Sequence, residues 1–453
     1  MKPGRPAARR IRLSPPQLLA LVYALGILLG AALLHLPGVQ RPGAGLDSVQ
    51  LLFTATSAIC ITGLTVADTG EAFTRFGQLL LLLLIQVGGL GILTFGTVFA
   101  FVAGRRLNFS ERQHLVAQLN ALDVGSVLGL VRAILLYTFV TEGVGALLLA
   151  LRFVPQFGWG EGLYQAVFHS VSAYNNAGFV VLRGGLAPYA EDALVCLTMA
   201  ALAILGGLGF LVQLNVVAHL RHPRQSRLLV YSRLTLVTTA ALLVLGTAAL
   251  LLLEWHNSKT FAPLSAPGKL LAAFFQSMTP RSAGLSTVTI EQMHTASLFV
   301  LIGLMYIGAG SGSTGGGIKT STFAILVGSA WNMVRGRGEL ILFQRRVMNE
   351  NLVRAGAITT LYTLLVAGAF FALLATNPDI GFTHLLFETV SAAATVGLSM
   401  NTTHRLNDTG LLILTGLMYL GRIGPLTFAI AFNLRPTRSR WVKYPPEHDI
   451  LVG

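Results

Sequence analysis

The chain has 453 residues, of which 53% are hydrophobic and only 11% charged, with a formal net charge of +14. Soluble domains carry roughly 25% charged residues, so a water-coated globule is excluded, and the apolar residues gather in runs long enough, at about 20 residues, to cross a bilayer. The positive charge is segregated into clusters at 2–12, 105–112, 221–233, 335–354 and 435–443, which is the positive-inside pattern of a membrane protein rather than a nucleic-acid surface.

Candidate spans run at 18–36, 77–102, 128–152, 193–218, 231–253, 297–331, 353–375 and 410–433. Each basic cluster follows an even number of them, so both termini are expected in the cytoplasm. The basic start lacks a convincing cleavage site before the first apolar run, so no cleaved signal is expected. Cys60 and Cys196 lie far apart inside apolar stretches and read as small buried hydrophobes. Between the spans lie apolar segments too short to cross, at 47–68, 161–180, 268–286 and 380–399. Such lengths suggest re-entrant pieces, all on the outer side by the charge pattern.

Each short segment ends in a glycine motif: Ile61-Thr62-Gly63, Asn176-Ala177-Gly178, Ser282-Ala283-Gly284 and Thr395-Val396-Gly397. The glycines recur at intervals of 115, 106 and 113 residues, and each is followed 24 to 28 residues later by a second glycine cluster, beginning at Gly88, Gly206, Gly308 and Gly421. Four in-phase copies identify an internal repeat, with repeats at 18–103, 126–218, 231–334 and 352–433 between a cytoplasmic segment at 1–17 and a cytoplasmic tail at 434–453. The expected fold is an all-α polytopic membrane protein. It consists of four parallel pseudo-repeats of helix, re-entrant pore loop and helix around one central pore.

Backbone at membrane depth must be satisfied internally or must line a wet cavity. A short helix descending into the pore points the carbonyl end of its dipole inward, which favours a cation. The return strand can replace an ion's water shell with backbone carbonyls, and glycine leaves room for them. The competing reading, that these glycines only permit close helix packing, explains any one motif but not four in phase.

The third repeat carries Gly308-Ala309-Gly310-Ser311-Gly312-Ser313-Thr314-Gly315-Gly316-Gly317, followed by Ile318-Lys319. Glycine costs about 1 kcal/mol relative to alanine at each helix position, so the segment is expected to interrupt its helix as a mobile loop beneath the filter. A phosphate-binding loop needs Lys directly after the last glycine, and Ile318 intervenes. Lys319 and Arg422 are the notable intramembrane cations. Lys319 either faces the loop or snorkels to the cytoplasmic edge. Arg422 is expected to hold loop groups from Ser311, Ser313 and Thr314. Glu142, also within a span, reads as a structural hydrogen-bonding group, and Asn175 and Asn176 as either filter-lining or helix-capping residues. No nucleophile or acid–base constellation suggests an enzyme.

The fourfold pattern resembles the Trk/Ktr/HKT superfamily of potassium transporters over nearly the whole chain. The first span leads directly into a loop, and the ending Lys443-Tyr444-Pro445-Pro446-Glu447-His448-Asp449-Ile450-Leu451-Val452-Gly453 is similar to that of the Ktr membrane subunit. The resemblance implies potassium uptake across the inner membrane, with Gly63, Gly178, Gly284 and Gly397 in the filter and an intramembrane gating loop at 308–317. It further implies a homodimer with the tail at its interface, a separate cytosolic nucleotide-binding ring as regulator, and sodium as a candidate activator. No organic cofactor is expected. An obligate sodium- or proton-coupled carrier is the alternative.

Overall fold

The computed structural model describes residues 15–91, 127–224, 227–336 and 339–424. The N-terminal basic cluster, the end of the second span, the cluster at 105–112, residues 425–433 and the C-terminal tail therefore lie outside the described residues. In chain order the elements are α1 (Pro15–Leu34), α2 (Ser48–Ile59), the single turn α3 (Thr69–Ala72), α4 (Arg75–Leu90), α5 (Val127–Phe157) and α6 (Trp159–Tyr174). There follow α7 (Ala193–Leu208), α8 (Phe210–Arg221), α9 (Val230–Glu254), α10 (Ala266–Met278), α11 (Thr295–Tyr306) and α12 (Thr320–Val334). A two-residue hairpin, β1 (Ile341–Leu342) with β2 (Arg345–Arg346), precedes α13 (Asn349–Thr376), α14 (Phe382–Ala393) and α15 (Asp408–Ile423).

The same order recurs four times: a long helix, a short one, a glycine motif and a second helix. The long members α1, α5, α9 and α13 are each apolar and long enough to cross a membrane. Their outer faces expose large apolar side chains, such as Leu28, Leu147, Leu252 and Phe371, which water would disfavour and lipid accepts. Polar groups lie inside instead: Thr56, His169, Gln276 and Glu388 are fully buried. The short helices start at side-chain caps where the sequence supplies them. Asp47 and Gln50 form a reciprocal capping box on α2, and Ser265 caps α10, each satisfying amides that have no partner within the helix.

The second helices α4, α7 and α15 stop at Gly91, Gly209 and Gly424, with φ of 74°, 93° and 89°. This corrects the expected continuous span at 193–218, which is two helices, α7 and α8, bent by 103°. The physical reason is a tertiary contact: the amide of Phe210 bonds the Gly312 carbonyl at 3.1 Å, so the helical ladder is interrupted by the glycine-rich loop. That loop breaks the third span as its composition predicts, with Gly308–Lys319 lying between α11 and α12.

Close approach explains the first glycine of three clusters. A Cβ on Gly88, Gly206 or Gly421 would strike the carbonyl of Ile59, Tyr174 or Ala393, the last turns of α2, α6 and α14. In these three copies the second helix therefore packs backbone to backbone against the foot of its short helix, as small residues allow within membranes.

Candidate functional site

The four motifs share one backbone conformation. The residue two before each glycine is left-handed in every copy, at Ile61 (φ 50°), Asn176 (56°), Ser282 (77°) and Thr395 (47°). The glycines follow with φ of 90° at Gly63, 72° at Gly178, 67° at Gly284 and 92° at Gly397. Left-handed Ile61 and Thr395 are outliers for β-branched side chains, costing of order 1–3 kcal/mol each, and such strain clusters at functional sites. The strain is held by helix-terminating bonds: Thr62, Ala177 and Val396 each donate an amide at 2.8 Å to Ser57, Ser172 and Ser391. These are Schellman-type closures with a side chain where glycine is usual. Ser57 and Ser391 hydroxyls also take the amides of Gly63 and Gly397, at 3.0 and 3.1 Å. In the second and third copies the hydroxyls of Ser172 and Thr279 instead donate to Phe179 and Leu285 carbonyls, at 2.7 and 2.5 Å.

The motifs meet in a closed cycle. A Cβ on Gly63 would lie 2.5 Å from the Ala177 carbonyl oxygen, and one on Gly178 would lie 3.2 Å from that of Ala283. One on Gly284 would strike the Val396 carbonyl, and one on Gly397 the Thr62 carbonyl. Each glycine thus faces the carbonyl that precedes the glycine of the next copy, and the fourth copy returns to the first. Three further oxygens in the cycle, Thr62 Oγ1, Asn176 Oδ1 and Thr395 Oγ1, are buried and have no hydrogen-bond partner.

The glycine-rich loop packs directly against this cycle. Asn176 Nδ2 donates to Thr314 Oγ1 at 2.7 Å, and the Gly316 amide donates to Ser282 Oγ at 2.9 Å. A Cβ on Gly316 would strike Thr395, and one on Gly315 would lie 2.8 Å from Ser282 Cβ. The loop is tied elsewhere too: the Gly310 amide bonds the Gly207 carbonyl at 2.9 Å, and Tyr231 donates to the Ser311 carbonyl at 2.9 Å. Gly312 and Gly317 take φ of 68° and 71°, and a Cβ on Gly317 would lie 2.9 Å from Gly308 Cα. The high glycine content here serves tight backbone contact as well as conformational freedom.

Arg422, in the last turn of α15, donates to the Thr314 carbonyl, to the Gly88 carbonyl at 2.6 Å and to Tyr23 Oη at 3.1 Å. One guanidinium fork thereby joins the loop, α4 and α1. Ser311 and Ser313, expected beside it, do not bond it. The Ser313 hydroxyl turns back to the Gly310 carbonyl at 2.6 Å, and that of Ser311 lies 3.4 Å from Ser321. They sit too early in the loop, with only Thr314 brought under Arg422. Lys319 bonds the Gly315 carbonyl at 2.7 Å, so it faces the loop rather than reaching away.

A family model described as cation transport protein, TrkH, matches residues 33–443. The chain belongs to the TrkH cation transport family. Among similar proteins in this family, Ktr system potassium uptake protein B of Bacillus subtilis is 38% identical over 98% of both chains. Its namesake in Vibrio alginolyticus is 40% identical over 97% of this chain and 95% of its own. A potassium/sodium uptake protein, NtpJ of Enterococcus hirae, is 36% identical over 98% of both chains. The solved structure of the potassium transporter TrkH from Vibrio parahaemolyticus aligns with a TM-score of 0.74 at 17% identity. The alignment covers 96% of this chain and 87% of that one, and it establishes the fold.

Three polar residues of this TrkH-family chain escaped the sequence reading. Arg281, directly before Ser282, is buried with one bond, from Nη2 to Thr239 Oγ1 at 3.1 Å, and its Nε has no partner. A cation inside a short apolar segment is a signal that would have found it. Glu388 on α14 is fully buried and accepts from Ser399 Oγ at 2.8 Å and from Thr403 Oγ1, fastening the strand that leaves the fourth motif. Glu254 accepts from four donors: Asn257 Nδ2, Thr260 Oγ1, the His294 amide and Ser297 Oγ. Glu142, read from the sequence as a structural hydrogen-bonding group, accepts from Asn175 Nδ2 at 2.9 Å.

Proposed function

We propose that this chain takes up potassium through the cycle of four glycine motifs. The observation that carries this reading is the cyclic approach of each glycine to the neighbouring copy's carbonyl, at Ala177, Ala283, Val396 and Thr62 in turn. A dehydrating cation needs such a ring, and the unpartnered oxygens of Thr62, Asn176 and Thr395 suit the same ligand. The names of the relatives from B. subtilis and V. alginolyticus point to the same substrate. The filter comprises Ile61, Thr62 and Gly63 with their counterparts Asn176–Gly178, Ser282–Gly284 and Thr395–Gly397.

The loop at 310–317, with Lys319 and Arg422, is the gate. It underlies the second, third and fourth motifs, and Arg422 anchors it while adding a positive charge that opposes cations. The protein is a multi-pass inner-membrane protein with cytoplasmic termini, lipid around it, a second copy as partner and a cytosolic nucleotide-binding ring as regulator. The ring opens the pore by displacing α12. The positive-inside pattern supports the orientation, and the word system in the relatives' names fits a multi-component assembly.

Potassium or rubidium uptake into proteoliposomes, with sodium varied and voltage clamped, tests this reading. Flux that follows the ion gradient alone supports a gated pore. A fixed ratio of potassium to sodium or protons carried overturns it. The potassium/sodium uptake relative at 36% identity favours one second reading, in which sodium is carried or activates, and the same experiment separates the two.

A further inference from the structure

Helices α4, α5 and α6 enclose a groove of about 440 Å³ outside the glycine cycle. Its walls include Leu79, Leu83, Phe139 and Val167, all of them exposed on the apolar exterior. Its floor is polar: Gln86 and Glu142. Glu142 accepts from Asn175 Nδ2 at 2.9 Å through Oε1 and from Gln86 Nε2 at 3.3 Å through Oε2. No ion pair reaches it among the described residues. Each carboxylate oxygen has two acceptor sites, so acceptor capacity remains toward the groove. A Cβ on Gly143, beside Glu142 in the lining, would meet no atom within 4 Å, so the groove is open at that residue.

Glu142 is the sixteenth of the 31 residues of α5, about 22 Å from either end at 1.5 Å per residue. That is near the middle of a helix long enough and apolar enough to cross a bilayer. A buried ionisable residue there, lining an apolar groove and with no ion pair among the described residues, is a functional-site signal.

We propose that this groove is a site for hydrophobic amines that enter from the bilayer. Their nitrogen bonds Glu142 and their hydrocarbon lies along Leu79, Leu83, Phe139 and Val167. A carboxyl group suits an amine in either protonation state: the carboxylate accepts from an ammonium, and the acid donates to a neutral amine. Fatty acids offer the wrong charge to the carboxylate, and an acyl chain alone leaves the polar floor unused. The ammonium of a phospholipid sits at the membrane surface, about 15 Å from the midplane, too far to reach Glu142.

The site is wired to the pore loop. Asn175 Nδ2 bonds Gln86 Oε1 as well as Glu142, and the next residue, Asn176, bonds Thr314 of the glycine-rich loop. An amine that takes Glu142 away from Asn175 disturbs the second motif and inhibits uptake. This regulatory half rests on the proposed ion path, and the binding half does not.

The test uses the full-length protein in phosphatidylcholine nanodiscs and proteoliposomes, with dodecylamine as probe and dodecanol as its amine-free counterpart. Retention of radiolabelled dodecylamine is expected to saturate at one per chain. Gly143→Leu, which fills the groove, and Glu142→Gln are each expected to weaken it at least tenfold, while dodecanol shows no saturable binding in any form. Equal retention in all three proteins, or equal saturable binding of dodecanol, overturns the site. In proteoliposomes, dodecylamine is expected to halve rubidium uptake at a membrane concentration at least tenfold below dodecanol. Gly143→Leu, normalised to its own amine-free uptake, removes that difference. Saturable binding without any effect on uptake overturns the regulatory half alone, and the binding assay still reads if the protein proves to carry a different ion. If Glu142→Gln does not fold, Gly143→Leu decides the result by itself.

Discussion

Replacing the four motif glycines by alanine, one at a time, produces a graded set of perturbations. All four have φ between 67° and 92°, so each alanine carries a left-handed strain of roughly 1–2 kcal/mol. What differs is the obstacle. At Gly397, Gly284 and Gly63 the new methyl group strikes a neighbouring carbonyl oxygen, whereas at Gly178 the nearest carbonyl oxygen is 3.2 Å away. The carbonyls that must yield are those proposed to coordinate the ion. Alanine at Gly397, Gly284 or Gly63 should therefore move a coordinating oxygen more than alanine at Gly178. About 1.4 kcal/mol of lost discrimination is a tenfold change in the preference for potassium over sodium. We expect at least that at Gly397, Gly284 and Gly63, and the smallest change at Gly178. Competition of sodium against rubidium uptake in proteoliposomes measures it. A control at Gly303, where a Cβ would meet nothing within 4 Å, should leave the preference intact. Wild-type preference in all four variants, or the largest loss at Gly178, would refute the assignment of these carbonyls.

The remaining expectations concern the loop and its supports. Arg422→Ala frees the Thr314 and Gly88 carbonyls and should raise rubidium flux while reducing dependence on any regulator; lower flux from a folded protein would mean that Arg422 props the pore open. Arg422→Lys should behave like the alanine variant, because an ammonium cannot span the three acceptors of the guanidinium fork. Deleting Gly312–Gly316 should act in the same direction, and a folded deletion that conducts less than wild type would show that the loop supports the filter. Glu254→Ala removes the acceptor of the buried Thr260 and Ser297 hydroxyls and of the His294 amide, while Asn257 Nδ2 keeps the Gln292 carbonyl at 3.0 Å; a buried donor left unsatisfied costs about 1–3 kcal/mol. A clear fall in thermal midpoint should follow, with Glu254→Gln falling less; unchanged melting in both would contradict the hydrogen-bond assignment.

Composition and period alone determined the class of this protein. Apolar runs of spanning length demand a bilayer, and the in-phase spacing of Gly63, Gly178, Gly284 and Gly397 reveals the fourfold unit, because repeats keep register along a chain whatever their side chains do. The glycine content of 308–317 also predicts the broken third span, since helix propensity is a local property. What lies between copies was not legible. The bend at Gly209 depends on a hydrogen bond from Phe210 to Gly312, about a hundred residues away in sequence, so the run at 193–218 read as one helix. The left-handed backbone at Ile61 and Thr395 contradicts the preference of β-branched side chains and is held by the helix-closing bonds from Thr62 to Ser57 and from Val396 to Ser391. Arg422 was visible as a misplaced charge, but its partners, Thr314, Gly88 and Tyr23, come from three other parts of the chain. Sequence periodicity reports what one segment prefers. Which glycine faces which carbonyl, and which buried donors find acceptors, is decided by tertiary packing, because those contacts join residues that no local pattern relates.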